Sequence, residues 1–259
     1  YGPSPKVREA IARFSTLNFY PDPLYVNLRA ALAQHTGAPA EQIVVGNCSD
    51  EVIDLLMRVL LRPDDAIIDC PPSFEVYEWQ AKLNHARVVA VPRREDFALD
   101  VDAIERALAA NDNVKMLWLT SPNNPDGSLL PRADFERLMR LPVFVMLDEA
   151  YADFASHSFM DSVGKYPNLV VLRTFSKSPA LAGLRVGYGV MPRVLADNVW
   201  KIVMPFNVNA VGVVAALAAL EDWDYTKSIA QKMIAEREKL SEALHHFDFL
   251  KPYPSQGAF

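Results

Sequence analysis

The chain has 259 residues, 51% of them hydrophobic and 22% charged, and carries a formal net charge of -6. That is enough apolar material for one large core, or for a large core with a smaller partner. The mild acidity and the lack of any Lys/Arg run argue against a nucleic-acid binder or an anionic-membrane binder, because both need clustered positive charge.

The first residues, Tyr1-Gly2-Pro3-Ser4-Pro5-Lys6, lack the basic-then-apolar pattern of a signal peptide. Residues 42–46 contain a short apolar strand. Residues 49–61 read as a helix, with Ser49 and Asp50 as cap candidates and acidic Asp50 and Glu51 in the first turn. A strand at 66–70 ends at Pro71-Pro72. A helical pattern follows at 74–84, a strand at 87–91 and a helix at 101–110. Then come four continuous apolar runs, at 114–120, 143–147, 169–175 and 186–191. The longest apolar stretch, 210–220, falls short of the roughly 20 residues a membrane helix needs. Its alanine content predicts a helix buried on most sides. After residue 205 the chain turns helix-rich, first apolar and then charged.

Runs that are apolar on both faces and separated by helical patterns predict a mostly parallel sheet covered on both sides, the α/β class. Ligands of such sheets bind beyond the carboxyl ends of the strands. The run at 114–120 leads into Ser121-Pro122-Asn123-Asn124-Pro125-Asp126-Gly127. The run at 143–147 leads into Asp148-Glu149-Ala150-Tyr151, and that at 169–175 into Ser176-Lys177-Ser178-Pro179. Polar residues at three successive strand ends therefore converge on one place.

A lysine desolvated at such an end is a nucleophile toward carbonyls, although Lys177 alone also fits a solvent-reaching loop residue. Asp148 closes an apolar strand, where a buried carboxylate needs a partner such as a protonated ring nitrogen; taken alone, a helix cap or an internal ion pair is the favoured reading. Asn124 sits in turn chemistry, and Arg185 is either a phosphate ligand or a surface arginine. Ser49 and Asp50 open a helix whose backbone N–H groups suit a phosphate. No dinucleotide fingerprint and no Walker loop occur. Neither the two cysteines, Cys48 and Cys70, nor the five histidines have metal-ligand spacing, so no metal is expected. A reduced, cytoplasmic setting fits two distant cysteines.

In order along the chain stand Tyr20-Pro21-Asp22-Pro23, Asn47-Cys48-Ser49-Asp50-Glu51, Pro71-Pro72-Ser73-Phe74, Ser121-Pro122-Asn123-Asn124-Pro125, Asp148-Glu149-Ala150-Tyr151, Thr174-Phe175-Ser176-Lys177 and Ala182-Gly183-Leu184-Arg185. This series resembles the fold-type-I pyridoxal-phosphate aminotransferases over essentially the whole chain, and within them the histidinol-phosphate branch. The resemblance implies a seven-stranded, mostly parallel sheet between helices and a smaller α/β domain. The large cofactor-binding domain would span 20–205, with 1–19 and 206–259 forming the linker helix and part of the small domain. It implies pyridoxal 5'-phosphate held by Lys177 as a Schiff base. Lys177 would also shuttle the substrate proton. Asp148 would pair with the ring nitrogen, Asn124 and Tyr151 would bond the phenolic oxygen, and Phe74 would stack on the ring. Ser49, Asp50, Thr174, Ser176 and Arg185 would cradle the phosphate, joined by Tyr20 of a neighbouring subunit in a homodimer. Tyr1, Tyr20 and Asn124 would face the substrates, an amino donor and a keto-acid acceptor. The implied reaction is transamination between L-histidinol phosphate and 2-oxoglutarate. Threonine-phosphate decarboxylation and aromatic transamination are the alternatives on the same scaffold.

The chain departs from the family pattern in three respects. Asp126 stands where the family commonly has Thr, and either alters the local field or caps the turn. Ser178-Pro179 follows the lysine in place of a small-aromatic pair. The family continues well past Phe259, into the segment that carries the arginine gripping the substrate's acid group, so the sequence reads as a piece of a longer chain.

Overall fold

A computed structural model describes residues 1–259. The strands are β1 (Ile43–Asn47), β2 (Ala66–Asp69), β3 (Arg87–Ala90), β4 (Val114–Thr120), β5 (Phe144–Asp148), β6 (Leu169–Thr174) and β7 (Val186–Val190). The helices are α1 (Pro5–Arg13), α2 (Val26–Thr36), α3 (Cys48–Leu60), α4 (Val76–Leu83), α5 (Val101–Ala110), α6 (Arg132–Leu138), α7 (Arg193–Trp200), α8 (Ala210–Glu221) and α9 (Trp223–Leu244). All strands join one seven-stranded sheet in the order β1-β7-β6-β5-β4-β2-β3. β7 alone runs against the direction of the other six strands.

Both faces of the sheet are buried, and alternate residues of each strand serve different cores. In β4, Leu117 and Leu119 enter one hydrophobic cluster while Met116 and Trp118 enter the other. In β6, Leu169 and Val171 face one way, Val170 and Leu172 the other. Each large side chain so buried contributes about 1.5–3 kcal/mol. On one face, α3 presents Val52, Ile53, Leu56 and Met57, all at helical spacing, to the sheet. On the other face, α8 packs through small residues: Gly212, Ala215, Ala216 and Ala219 are buried, and α1 lies against it with Val7 in the same core. By contrast, α9 buries only Thr226, Ile229 and Ala230. No helix is long and apolar enough to cross a membrane.

The expected strands are all present, with ends shifted by a residue or so. The predicted cap of α3 needs correction. Asn47 is the cap residue, and its N–H donates to Glu51 Oε2 at 2.5 Å. Ser49 and Asp50 lie inside the first turn instead, so their backbone N–H groups point out of the helix end rather than being capped by their own side chains.

The topology brings the functional segments to one edge. β4, β5 and β6 are parallel, with Thr120 opposite Asp148 and Asp148 opposite Leu172. Their carboxyl ends therefore lie together. β7 returns antiparallel to β6 after a short 3-10 turn at Ala182–Leu184, so Arg185, at the start of β7, comes back to the edge where Lys177 left. β1 is antiparallel to β7, which places Asn47 opposite Val186 and the start of α3 at this same edge.

Candidate active site

A cavity of about 130 Å³ opens at that edge. Ten residues singled out in the sequence line it: Ser49, Asp50, Phe74, Asn124, Asp148, Tyr151, Thr174, Ser176, Lys177 and Arg185. Cys48, Thr120 and Ala150 complete the wall.

One end of the cavity is built for an anion. The first turn of α3 supplies orphan N–H groups at its positive pole. The hydroxyls of Ser49, Thr174 and Ser176 stand around it. Cys48 lies beneath them, its Sγ 3.4 Å from both Thr174 Oγ1 and Ser176 Oγ. Arg185 adds the cation, held in the left-handed region at φ 53° and bonded to Asp50 Oδ2 at 2.5 Å. The approach of α3 to β7 requires glycine at 187, where a Cβ would stand 2.3 Å from Ser49 N and 2.5 Å from the Cys48 carbonyl carbon.

The other end holds a carboxylate without a cation bonded to it. Asp148 is buried, and it accepts the Ala150 N–H at Oδ1 and the Tyr77 hydroxyl at Oδ2, each at 2.9 Å. Burial pushes its pKa up to about 6, while those two donors and the more distant Lys177 hold it down. Neither a helix cap nor an ion pair accounts for Asp148; its free lone pairs line the cavity.

Between the two ends, Lys177 Nζ lies 5.0 Å from the centre of the Tyr151 ring. A lysine at the end of a buried strand can be desolvated, but the Lys177 side chain is exposed to the open cavity. The adjoining loop is braced from behind. The Ser178 hydroxyl donates to Asp153, which pairs with Arg173 at 3.1 Å, and Arg173 pairs in turn with Glu149 at 2.9 Å. Burial opposes the Arg173 charge, but Glu149 and Asp153 more than offset it, and its pKa lies above the ordinary value. Ser178 thus ties the lysine loop to the end of β5. Asp126 caps its own turn: it accepts from the Asn123 side-chain amide and, at 2.7 Å, from the Ser128 N–H. Those bonds favour the turn role over an effect on the cavity's field.

Two nominated residues do not reach the cavity. Tyr20 is 79% exposed, stacks on Phe206 at 4.5 Å and borders a separate apolar groove. Tyr1 is equally exposed, with Lys232 Nζ 6.0 Å from its ring. Thr120 and Tyr77 were not singled out in the sequence, and Cys48 entered only as a free cysteine and a motif neighbour. Thr120 ends β4 as Asp148 ends β5, so the strand-end argument applied to it as well. Tyr77 gave no signal beyond its place on the buried face of α4.

The aminotransferase class I and II family matches residues 1–259. The chain belongs to that family. A histidinol-phosphate aminotransferase of Roseiflexus castenholzii is 47% identical over 264 residues, covering all of this chain and 71% of the relative. Histidinol-phosphate aminotransferase 1, chloroplastic, of Arabidopsis thaliana is 46% identical and is covered over 62% of its length. Among solved structures, histidinol-phosphate aminotransferase from Sinorhizobium meliloti in complex with pyridoxal-5'-phosphate superposes with a TM-score of 0.90 at 30% identity, over 99% of this chain and 71% of that one. The chain thus spans 62–71% of the length of these relatives. As a class I and II aminotransferase it uses pyridoxal phosphate, and the cavity fits that group: a cradle of N–H, hydroxyl and guanidinium donors for a phosphate, a buried carboxylate for a ring nitrogen, and an amine between them.

Proposed function

We propose that this chain carries the cofactor site of a histidinol-phosphate aminotransferase, which moves an amino group between L-histidinol phosphate and 2-oxoglutarate. The observation that carries this reading is Lys177 Nζ in the same cavity as Asp148, Tyr151, Asn124 and Arg185. The curated relatives cited above support the substrate by their names. The chain's large domain is assigned to 20–205, with 1–19 and 206–259 as linker helix and part of a small domain.

Bound pyridoxal phosphate supplies an electrophilic aldehyde and a protonated ring that delocalises negative charge from the substrate's α-carbon. Lys177 Nζ would hold the group through its aldehyde carbon, and its amine would carry the substrate's α-proton. Asp148 keeps the ring nitrogen charged. Asn124 and Tyr151 would hydrogen-bond the ring oxygen, and Phe74 would pack against the ring. Arg185, Ser49, Thr174, Ser176 and the first turn of α3 bind the phosphate. Neither Tyr20 nor Tyr1 reaches the cavity of its own chain; Tyr20 would complete the phosphate site of a second subunit, and Tyr1 and Tyr20 would face the substrate there. An exposed apolar surface around Tyr20 and Phe206 supports association of two copies. A cytoplasmic location fits two unpaired, buried cysteines.

Lys177→Ala tests the reading. The variant is expected to bind pyridoxal phosphate with the absorption of the free aldehyde and to lose nearly all turnover; wild-type turnover would sink the assignment. In the wild type, histidinol phosphate should convert the cofactor spectrum to that of the amine form. Carbon dioxide release from threonine phosphate would instead point to a decarboxylase.

A further inference from the structure

Behind Asp148 lies a hydroxyl chain that the reaction described so far does not use. Tyr77 is fully buried on α4. Its ring stacks on Trp118 at 4.7 Å and 18°, and meets the edge of Phe74 at 5.7 Å. This packing sets the plane of the ring and so the direction of its hydroxyl. That oxygen lies 2.9 Å from Asp148 Oδ2 and 2.9 Å from Thr120 Oγ1.

A phenol has one proton to give, and an ionised carboxylate only accepts. Tyr77 therefore donates to Asp148. The Thr120 hydroxyl, across the β4–β5 register from Asp148, must donate to the Tyr77 oxygen. The chain has one polarity, Thr120 to Tyr77 to Asp148, and every donor in it stabilises negative charge on Oδ2. Burial and the neighbouring Asp148 charge hold the Tyr77 phenol well above its ordinary pKa, so it remains a donor.

We propose that Tyr77 is a positioning residue that acts through Asp148: by donating to Oδ2 it keeps the carboxylate ionised, and so keeps the proton it shares with the cofactor's ring nitrogen on the nitrogen. Without this donor, the proton on the Asp148–nitrogen axis moves toward the carboxyl, because a carboxylate short of a hydrogen bond is the stronger base. Thr120 strengthens the effect by polarising the phenol. The inference rests on the assignment of pyridoxal phosphate to this cavity.

The test is the ring-nitrogen resonance of bound, ¹⁵N-labelled pyridoxal phosphate at neutral pH, with the dissociation constant measured alongside. The wild type should give a pyridinium resonance. Tyr77→Phe removes one oxygen and nothing else; it should move the resonance toward the neutral-pyridine position and weaken cofactor binding about tenfold, as loss of one hydrogen bond to a charged group implies. Thr120→Val, which leaves the Tyr77–Asp148 bond in place, should shift it in the same direction by less. A purely structural role for Tyr77 would lower the melting temperature and leave the resonance where it was. An unmoved resonance in both variants overturns the inference, and if Tyr77→Phe does not fold, Thr120→Val decides it alone. A wild-type protein that binds no cofactor, or binds it with a neutral ring, overturns the cofactor assignment instead.

Discussion

Asp148 works against the stability of the protein that carries it. Without a cation, the buried carboxylate has its pKa pushed up to about 6, above the ordinary value of 3.8. A carboxyl with a raised folded-state pKa binds its proton more tightly folded than unfolded. Stability is therefore highest when the group is protonated, below the unfolded value, and falls as pH rises toward and through about 6. The cofactor-free protein should gain from Asp148→Asn by up to about 3 kcal/mol at about pH 8, with the gain shrinking to little at about pH 4. Thermal melts of both proteins across that range, without cofactor, measure it. The same substitution should impair transamination, because a neutral amide cannot hold a charged ring nitrogen. A variant no more stable than the wild type at high pH would show that the ionised carboxylate carries no penalty. Such a trade between stability and activity is expected at a preorganised charge site.

At the scale of elements, the site depends on where β7 returns. The antiparallel pass of β7 between β6 and β1 carries Arg185 and the start of α3 to the lysine edge. Its direction was not legible in the sequence, because a five-residue apolar run reads the same both ways. The parallel strands were legible, since runs such as Val114–Thr120 are apolar on both faces, and with them came Asn124, Asp148 and Lys177 at the strand ends. Several helices were not: α2 follows Tyr25, which is in the left-handed region and caps nothing with its side chain, its first N–H is met by Asp22 from four residues back, and it buries only Leu28 and Leu32, so it has neither a start signal at the usual position nor a clear apolar stripe. Tyr77 and Thr120 were missed because their meeting requires the Tyr77 side chain to reach from α4, which packs on β2 and β3, to the ends of β4 and β5, a tertiary fact with no local pattern. Gly187 tests the β7–α3 junction. An added Cβ would press on the backbone at Cys48 and Ser49, which cannot rotate away. Gly187→Ala should destabilise the fold by about 1–3 kcal/mol and loosen the anion cradle. A fluorescence titration with pyridoxal phosphate should show the affinity falling, with Gly189→Ala, which meets only side chains, affecting affinity less.

At the scale of the molecule, one surface stays apolar after the two cores are filled. Leu17, Phe19, Tyr20 and Leu24 are more than half exposed, as is Met204, and Phe206 stacks on Tyr20. Beside them, Phe14, Tyr25, Leu28, Val213 and Leu217 wall an open groove of about 220 Å³. Burying an exposed aromatic stack of this kind against a second copy would contribute about 25 cal/mol for each Å² of apolar surface removed from water, before the cost of association is subtracted. A two-fold contact would use the same patch on both subunits, so one charged substitution would act twice. The chain should therefore sediment as a dimer in the micromolar range, and Phe206→Asp should sediment as a monomer with an unchanged circular-dichroism spectrum. If Tyr20 completes the neighbour's phosphate site, that monomer should also bind pyridoxal phosphate less tightly, and so should a dimeric Tyr20→Phe variant that loses only the hydroxyl. A monomeric wild type would remove the neighbour's role altogether. A dimeric wild type in which Tyr20→Phe binds cofactor normally would keep the interface and assign Tyr20 to packing against Phe206.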